Sequence, residues 1–338
     1  MIRRRQFIRT GITAGLAFQV SRAADADDPD PISSNPDDAA PSFADGATSR
    51  WSFGFRLQTP STITGGLATF PVPMPWPEQS LTIDEQVVNT DLTRATTRVL
   101  NQSAKQVVAV MPRVLAGSEL EVRVDMTIIK RKIVAPIEPR SWTIPERTPK
   151  DLRAFMGVSP HIDTNHPMVR RLSRELAADS FETGWEKVRQ IYDAVRQRVR
   201  YLEGPIRNAS DALRTGQGDC EDMTSLFVAL CRNARIPSRM VWVHGHCYPE
   251  FYLERIVNRD ATTPGTRASE GAWFPCQVAG SEQFGAMEED RPILQKGDRF
   301  KVPETRKTDR YLAEFFQCDP QGNQPPRIEF FRRLIRST

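Results

Sequence analysis

The chain changes its hydrophobic period twice, and that switching restricts its fold class more than any other feature. In ELEVRVDMTI, Leu120, Val122, Val124, Met126 and Ile128 alternate with Glu119, Glu121, Arg123, Asp125 and Thr127, the period-two pattern of a half-buried strand. WSFGFRL, GLATFPV, TRATTRVL and KQVVAVM lie nearby, between Trp51 and about Pro136, separated by turn formers such as Thr64-Gly65-Gly66 and Ala116-Gly117-Ser118. Strands and turns in this density predict an antiparallel β-sandwich of immunoglobulin-like type over residues 50–142. The proline-rich APIEPRSWTIPERTPKD closes it. Helical spacing follows: in GWEKVRQIYDAVRQRVRYL, Trp185, Val188, Ile191, Tyr192, Val195 and Val199 recur at three and four, which assigns Trp185 and Tyr192 to a core. After Pro237 short strands return in MVWVHGHCYPEFYLE, GAWFPCQVAG, RFKVPE and RYLAEFF. The order predicts an α+β protein of two domains, the second over 145–338, in keeping with 338 residues at roughly 150 per domain. No internal repeat is present.

The first residues have a different character. MIRRRQFIRTGITAGLAFQVSRA joins a basic head to a weakly apolar run and a small-residue exit, the layout of a cleavable signal over 1–23. Arg4-Arg5-Gln6-Phe7 resembles the twin-arginine export motif, which implies a periplasmic or secreted protein. The apolar run is interrupted by Thr10, Gly11, Thr13 and Gly15 and falls short of the roughly 20 residues of a span, so no stable membrane anchor is expected. Cleavage after Ala23 removes five arginines and takes the formal charge from +4 to +4 − 5 = −1. The mature chain then shows no Lys/Arg stripe with interleaved aromatics, which argues against a nucleic-acid partner. Residues 24–49 hold seven aspartates and no Lys or Arg before Arg50, and read as a disordered acidic linker.

One cysteine stands in an informative place. In GQGDCEDMTSLFVALCRNARIPSRM, Asp219 is a natural N-cap with Asp222 three residues on, so a helix should open at Cys220. First-turn amides have no intrahelical partner and carry partial positive charge, which favours a thiolate and leaves donors for an oxyanion. Gly216 and Gly218 allow a tight turn and keep bulk from an approaching substrate. Cys231, on the same helix, reads as a buried core cysteine. Five cysteines in all leave at least one free thiol or an intermolecular bond.

GDCEDMTSLFVALCRNARIPSR, then HCYPEFYL with His246, then WFPCQ with Trp273 and Phe274, together resemble the transglutaminase-like superfamily of papain-type thiol enzymes. The resemblance covers roughly 148–280, including the VRY that ends the upstream helix. It implies a papain-like core in which a thiol at a helix N-terminus packs on an antiparallel sheet. It further implies that Cys220 attacks a carbonyl carbon, His246 moves the proton and a third residue orients the imidazole. That third position, commonly aspartate in the family, is Gln277 here. An amide can hold the ring but cannot stabilise imidazolium by charge. Glu250, on the face of His246, is a candidate for the missing charge or for a salt bridge; Gly218, Asp219 and Trp273 are candidate supporting or substrate-contacting residues.

Pairing His246 with Gln277 across two antiparallel strands sets Cys247 opposite Cys276 on the other face, able to form a disulfide or simply to pack. A metal site of His244, His246 and Cys220 or Glu250 is conceivable, but no CxxC or HExxH spacing supports it, so no metal or other cofactor is expected. His161 and His166 read as solvated or capping residues. GSEQFGAMEEDRPILQKGDRF reads as a solvated loop or a rim of the cleft. The expected function is acyl transfer or hydrolysis at peptide or amide bonds by an exported monomer acting on a peptide or protein substrate, conceivably of the cell envelope. The alternatives are a catalytically weak or inactive transglutaminase-fold binding module, favoured by Gln277, and a surface protein in which the sandwich does the binding.

Overall fold

The computed structural model describes residues 41–89, 91–178, 181–258 and 267–337. The expected signal segment 1–23 and most of the acidic linker lie outside the described residues. The end of that linker is a correction: strand β1 (Ser42–Thr59) begins inside it. Its backbone is paired along β6 (Ser118–Val134), from Ser42 opposite Val134 to Thr59 opposite Ser118. Those ladder bonds supply what acidic composition alone could not reveal.

Between them run β2 (Ile63–Val72), β3 (Gln79–Val88), β4 (Arg94–Leu100) and β5 (Ala104–Val114). After two 3₁₀ turns (Pro139–Ser141 and Lys150–Phe155) come α1 (Pro167–Ala177), α2 (Gly184–Arg198), β7 (Arg200–Tyr201), α3 (Ala209–Thr215), β8 (Gln217–Gly218) and α4 (Cys220–Asn233). Then follow β9 (Ser238–Val243), β10 (His246–Asn258), β11 (Arg267–Gln277), β12 (Gln283–Phe284) and β13 (Ile293–Lys296). Last are β14 (Phe300–Lys301), β15 (Thr308–Asp309), β16 (Phe315–Pro320) and β17 (Arg327–Ser337).

Two large sheets result. One has the order β17-β1-β6-β3; the other is nine-stranded, β12-β11-β10-β9-β13-β5-β2-β16 with β4 on β5. Alternation explains their packing: Phe53, Phe55 and Leu57 of β1 and Leu120, Val122 and Ile128 of β6 share a buried core with Phe70 of β2 and Val107 of β5. Phe55 meets Phe70 edge-on at 6.1 Å, a contact from sheet to sheet. The chain's end returns to this half, since β17 pairs with β1 and β16 with β2.

The second sheet does not stop at the sandwich. Its continuity rests on β13, which pairs with β9 through Ile293–Val243 and with β5 through Gln295–Ala104. That strand lies within the segment read from sequence as a loop or rim, and all four of its residues are buried. Two glutamine side chains imitate backbone pairing around it. Gln79 donates to the Ile293 carbonyl at 3.0 Å and accepts from its amide at 2.7 Å; Gln295 does the same with Leu312 at 3.1 and 3.0 Å.

The two faces of β10 are covered differently. Cys247, Phe251 and Leu253 face the helices, in one core with Tyr192 of α2, Phe227 and Leu230 of α4 and Phe274 of β11. Tyr248 faces the opposite way, toward Ile133, Met287 and Ile293. On that face a buried charge cluster ties the halves together. Lys296 donates to Glu78 and to Glu250, each at 2.6 Å, and Arg239 pairs with Glu250 at 2.7 Å. Glu250 is therefore a salt-bridge residue. Burial alone would raise its pKa, but Lys296 and Arg239 hold it well below the ordinary 4.5.

Replacing Glu250→Gln leaves two cations buried without their shared carboxylate, and chemical denaturation should show a loss of about 3–5 kcal/mol. Because its folded pKa is depressed, the stabilisation from Glu250 is present above its ordinary value and is lost as the pH falls through the folded one. The wild-type chain should thus lose stability below about pH 4.5 faster than the variant.

Candidate active site

The site is assembled at the first turn of α4. Helix α3 ends at Gly216, whose φ of 66° is the left-handed conformation that closes a helix. The chain then forms β8 parallel to β7, with Leu202 donating to the Gly218 carbonyl at 2.9 Å. Gly218 is required by its neighbour rather than by a substrate: a Cβ there would stand 2.7 Å from the Asp222 Cβ. Asp219 is the N-cap, accepting from the amides of Glu221 at 2.9 Å and Asp222 at 3.0 Å, while Asp222 accepts from the Asp219 amide at 3.4 Å and from Arg207 at 2.9 Å. The capping box expected from sequence is present, with one consequence that sequence did not reveal. The cap uses the Glu221 and Asp222 amides, so of these three first-turn donors only that of Cys220 remains for an oxyanion.

Opposite the thiol, β9 and β10 meet in a tight turn at His244-Gly245, with Gly245 at φ 70°. His246 is the first residue after it. Its Nε2 lies 3.1 Å from Gln277 Oε1 and 3.0 Å from Gln277 Nε2. Gln277 is buried at the end of β11. The two residues meet although they are not directly paired. β10 and β11 pair Glu250 with Pro275 and Phe251 with Phe274, sums of 525, whereas His246 opposite Gln277 sums to 523. A displacement of two residues preserves every face, so both side chains stay on one side and touch diagonally.

The same displacement corrects the cysteines. Cys247 and Cys276 share a face but do not oppose each other, and both are free thiols. Cys276 pairs across β11–β12 with Phe284. Cys247 joins the site instead of bracing it from afar: its Sγ is 3.9 Å from Thr224 Oγ1, one helical turn beyond Cys220. The pKa of Cys220 drops from 9.0 to about 4. The largest cause is the hydrogen bond from the Cys247 side chain; burial opposes it, and the hydrogen bond and charge of His246 and the Cys247 amide add to the lowering. Burial pushes Cys231, Cys247 and Cys276 well up.

The remaining expected residues fall elsewhere. Glu250 is absorbed by the charge cluster described above and gives His246 no partner. Trp273 lies under the Arg239 guanidinium at 4.0 Å and edge-on to Phe155 at 5.3 Å, away from the thiol. His244 meets Trp51 in a tilted ring contact at 5.3 Å, and His166 caps α1. Among the described residues no group of three His, Cys, Asp or Glu is placed to hold a metal ion.

A cleft of about 420 Å³ opens beside Cys220 and His246. Its walls include Glu221, Trp242, Arg310, Tyr311 and Arg332. Arg310 pairs with Glu221, and Trp242 meets Tyr311 at 5.0 Å. No local signal marks these wall residues in the sequence; Gln295 fixes Leu312 and so carries the neighbouring Arg310 and Tyr311 to the cleft. A cavity of similar size on the sandwich, about 430 Å³ along Leu57, Val88 and Leu120, has no thiol or histidine in its lining.

The model of the transglutaminase-like superfamily matches residues 170–277. Those residues carry a transglutaminase-like core. A solved structure from Cytophaga hutchinsonii, described as a candidate cysteine protease, superposes with a TM-score of 0.57 at 15% identity, over 87% of this chain and 92% of that one. It shows a shared mixed α/β fold with extensive antiparallel sheet. A candidate protease from Parabacteroides distasonis aligns with a TM-score of 0.26 at 12% identity, over 72% of this chain and 47% of its own. Among curated proteins, the chloroplastic imidazole glycerol phosphate synthase hisHF of Arabidopsis thaliana is 24% identical over 153 residues, 44% of this chain. The match spans 22% of that relative's length. Among the described residues no helix is long and apolar enough to cross a membrane.

Alkylation at about pH 5.5 should modify Cys220 ahead of the other four cysteines, as read by peptide mass mapping, because it alone holds a thiolate there. Equal labelling of several cysteines would contradict the site's electrostatics.

Proposed function

We propose that this protein is a thiol enzyme acting on peptide or amide bonds through Cys220, His246 and Gln277. The observation that carries the reading is the His246 ring, held at 3.0–3.1 Å by Gln277 through Nε2 while it lowers the pKa of the Cys220 thiol. With Nε2 so occupied, Nδ1 is the nitrogen left for sulfur. Cys220 as thiolate attacks the carbonyl carbon, and the Cys220 amide at the positive end of α4 stabilises the oxyanion. The imidazolium of His246 then protonates the departing amine, leaving an acyl thioester. The neutral ring next takes a proton from water, giving hydrolysis, or from an amine, giving transfer.

Gln277 does part of the work of a carboxylate. Its carbonyl accepts from Nε2–H of the imidazolium, fixing ring orientation, but contributes no full charge. The cleft, with the Trp242–Tyr311 pair beside two arginine–carboxylate pairs, suits an extended chain carrying polar groups better than a small apolar ligand. In this reading the Arg4-Arg5 segment exports the enzyme, so its substrate is a peptide or protein outside the cytoplasm.

The test is trapping of the acyl thioester on Cys220 with activated peptide esters. Cys220→Ala should abolish it, and His246→Ala should slow acylation by about 10²–10⁴-fold. Gln277→Ala should lower kcat with little change in KM, since it touches the ring and not the substrate. A Cys220→Ala chain that still turns over the ester would overturn the assignment.

A further inference from the structure

Gln277 leaves the imidazolium without a counter-charge, and the segment before β13 brings one close. Three strands align at this point: Ile293 of β13 pairs with Val243 of β9, and Val243 pairs with His246 of β10. The residues just before Ile293 therefore lie beside the His244-Gly245 turn. Met287 is fixed there by two 2.9 Å backbone bonds with Ile133.

Within that segment Glu289 and Arg291 form a rigid pair. Arg291 donates to Glu289 through Nε at 2.7 Å, Nη2 at 2.7 Å and its own amide at 3.0 Å. Its Nη1 donates to the His244 carbonyl at 3.1 Å, so the pair is latched to the turn that carries His246. The Glu289 side chain is only 10% exposed. Water screens such a carboxylate poorly, and its charge reaches neighbouring groups.

We propose that Glu289, held by Arg291, is the positioning residue that supplies His246 with the negative charge Gln277 lacks. The inference rests on the thiol-enzyme reading above and extends it. His246 and Glu289 act on each other through charge, and Arg291 likewise senses Cys220. Burial works against Glu289, yet the Arg291 bonds and the charge of His246 keep its pKa below the ordinary value, so it is ionised through the working range.

Other groups face the pair. Lys130 of β6 and Tyr248 of β10 approach Glu289 from the interior. His246 faces Cys220 and Gln277, and the cleft adds Glu221, Asp309, Arg310, Glu314 and Arg332. In the cleft Arg310 pairs with Glu221 and Arg332 with Glu314.

The experiment is the rate of Cys220 carboxymethylation by iodoacetate across pH in the full chain, for wild type, Glu289→Gln and Glu289→Asp. The reagent's carboxylate reports the imidazolium, so the rate rises as the thiolate forms and falls as His246 loses its proton. Glu289→Gln should move the falling limb down by about half a unit to one unit. Its kcat at neutral pH should drop roughly three- to tenfold, and Glu289→Asp should restore most of the shift. A Glu289→Gln profile that superimposes on a biphasic wild-type profile overturns this inference alone. A wild-type thiol that reacts only near pH 8–9 overturns the thiol-enzyme reading and this inference with it. Thermal unfolding of each variant separates a folding defect from either result.

Discussion

The position of α4 along its own axis is the constraint on which the site depends. Both ends of this buried helix are tied by polar bonds. At the start the Asp219–Asp222 capping box fixes the first turn; at the end Arg232, fully buried, pairs with Asp298 at 2.7 Å and donates to Ser159 at 2.8 Å. Between them Leu226, Phe227, Val228, Ala229 and Leu230 are enclosed. A helix held in this way cannot slide by a turn without breaking a buried ion pair, so the Cys220 sulfur keeps its place against the start of β10.

The second dependence is the sheet that runs through both halves. β13 is short, yet it joins β9 to β5, and the Lys296–Glu78–Glu250 cluster bonds the halves where the backbone ladder is thinnest. The chain's end reinforces the arrangement, since β17 lies on β1 while Arg332 of that strand reaches the cleft. The sandwich half thereby supplies a wall of the cleft beside Cys220. Deleting it would remove cleft residues as well as a neighbouring fold.

Much of this was legible locally. The alternation of Leu120 through Ile128 marked β6, the three-and-four spacing of Val188 through Val195 marked α2, and Asp219 with Asp222 marked the start of α4. What misled was also local: the aspartates before Ser49 concealed the start of β1, and the charges around Pro292 concealed β13. In both cases strand character comes from pairing with distant backbone, which composition does not encode. The disulfide expectation failed for a related reason. Turn length and bulges decide register, and a displacement of two leaves the hydrophobic pattern unchanged.

The sequence by itself determined the strand β6, the helix α2 and the opening of α4 at Cys220, because periodicity and capping are properties of neighbouring residues. Tertiary structure alone decided which groups meet at that thiol. Cys247 beside Cys220, Glu250 withdrawn into a charge cluster, Glu289 latched beside the His246 turn and Arg310 carried to the cleft by Gln295 all follow from strand order and register. Those are settled only when distant segments compete to bury apolar surface and to pair the charges they bury.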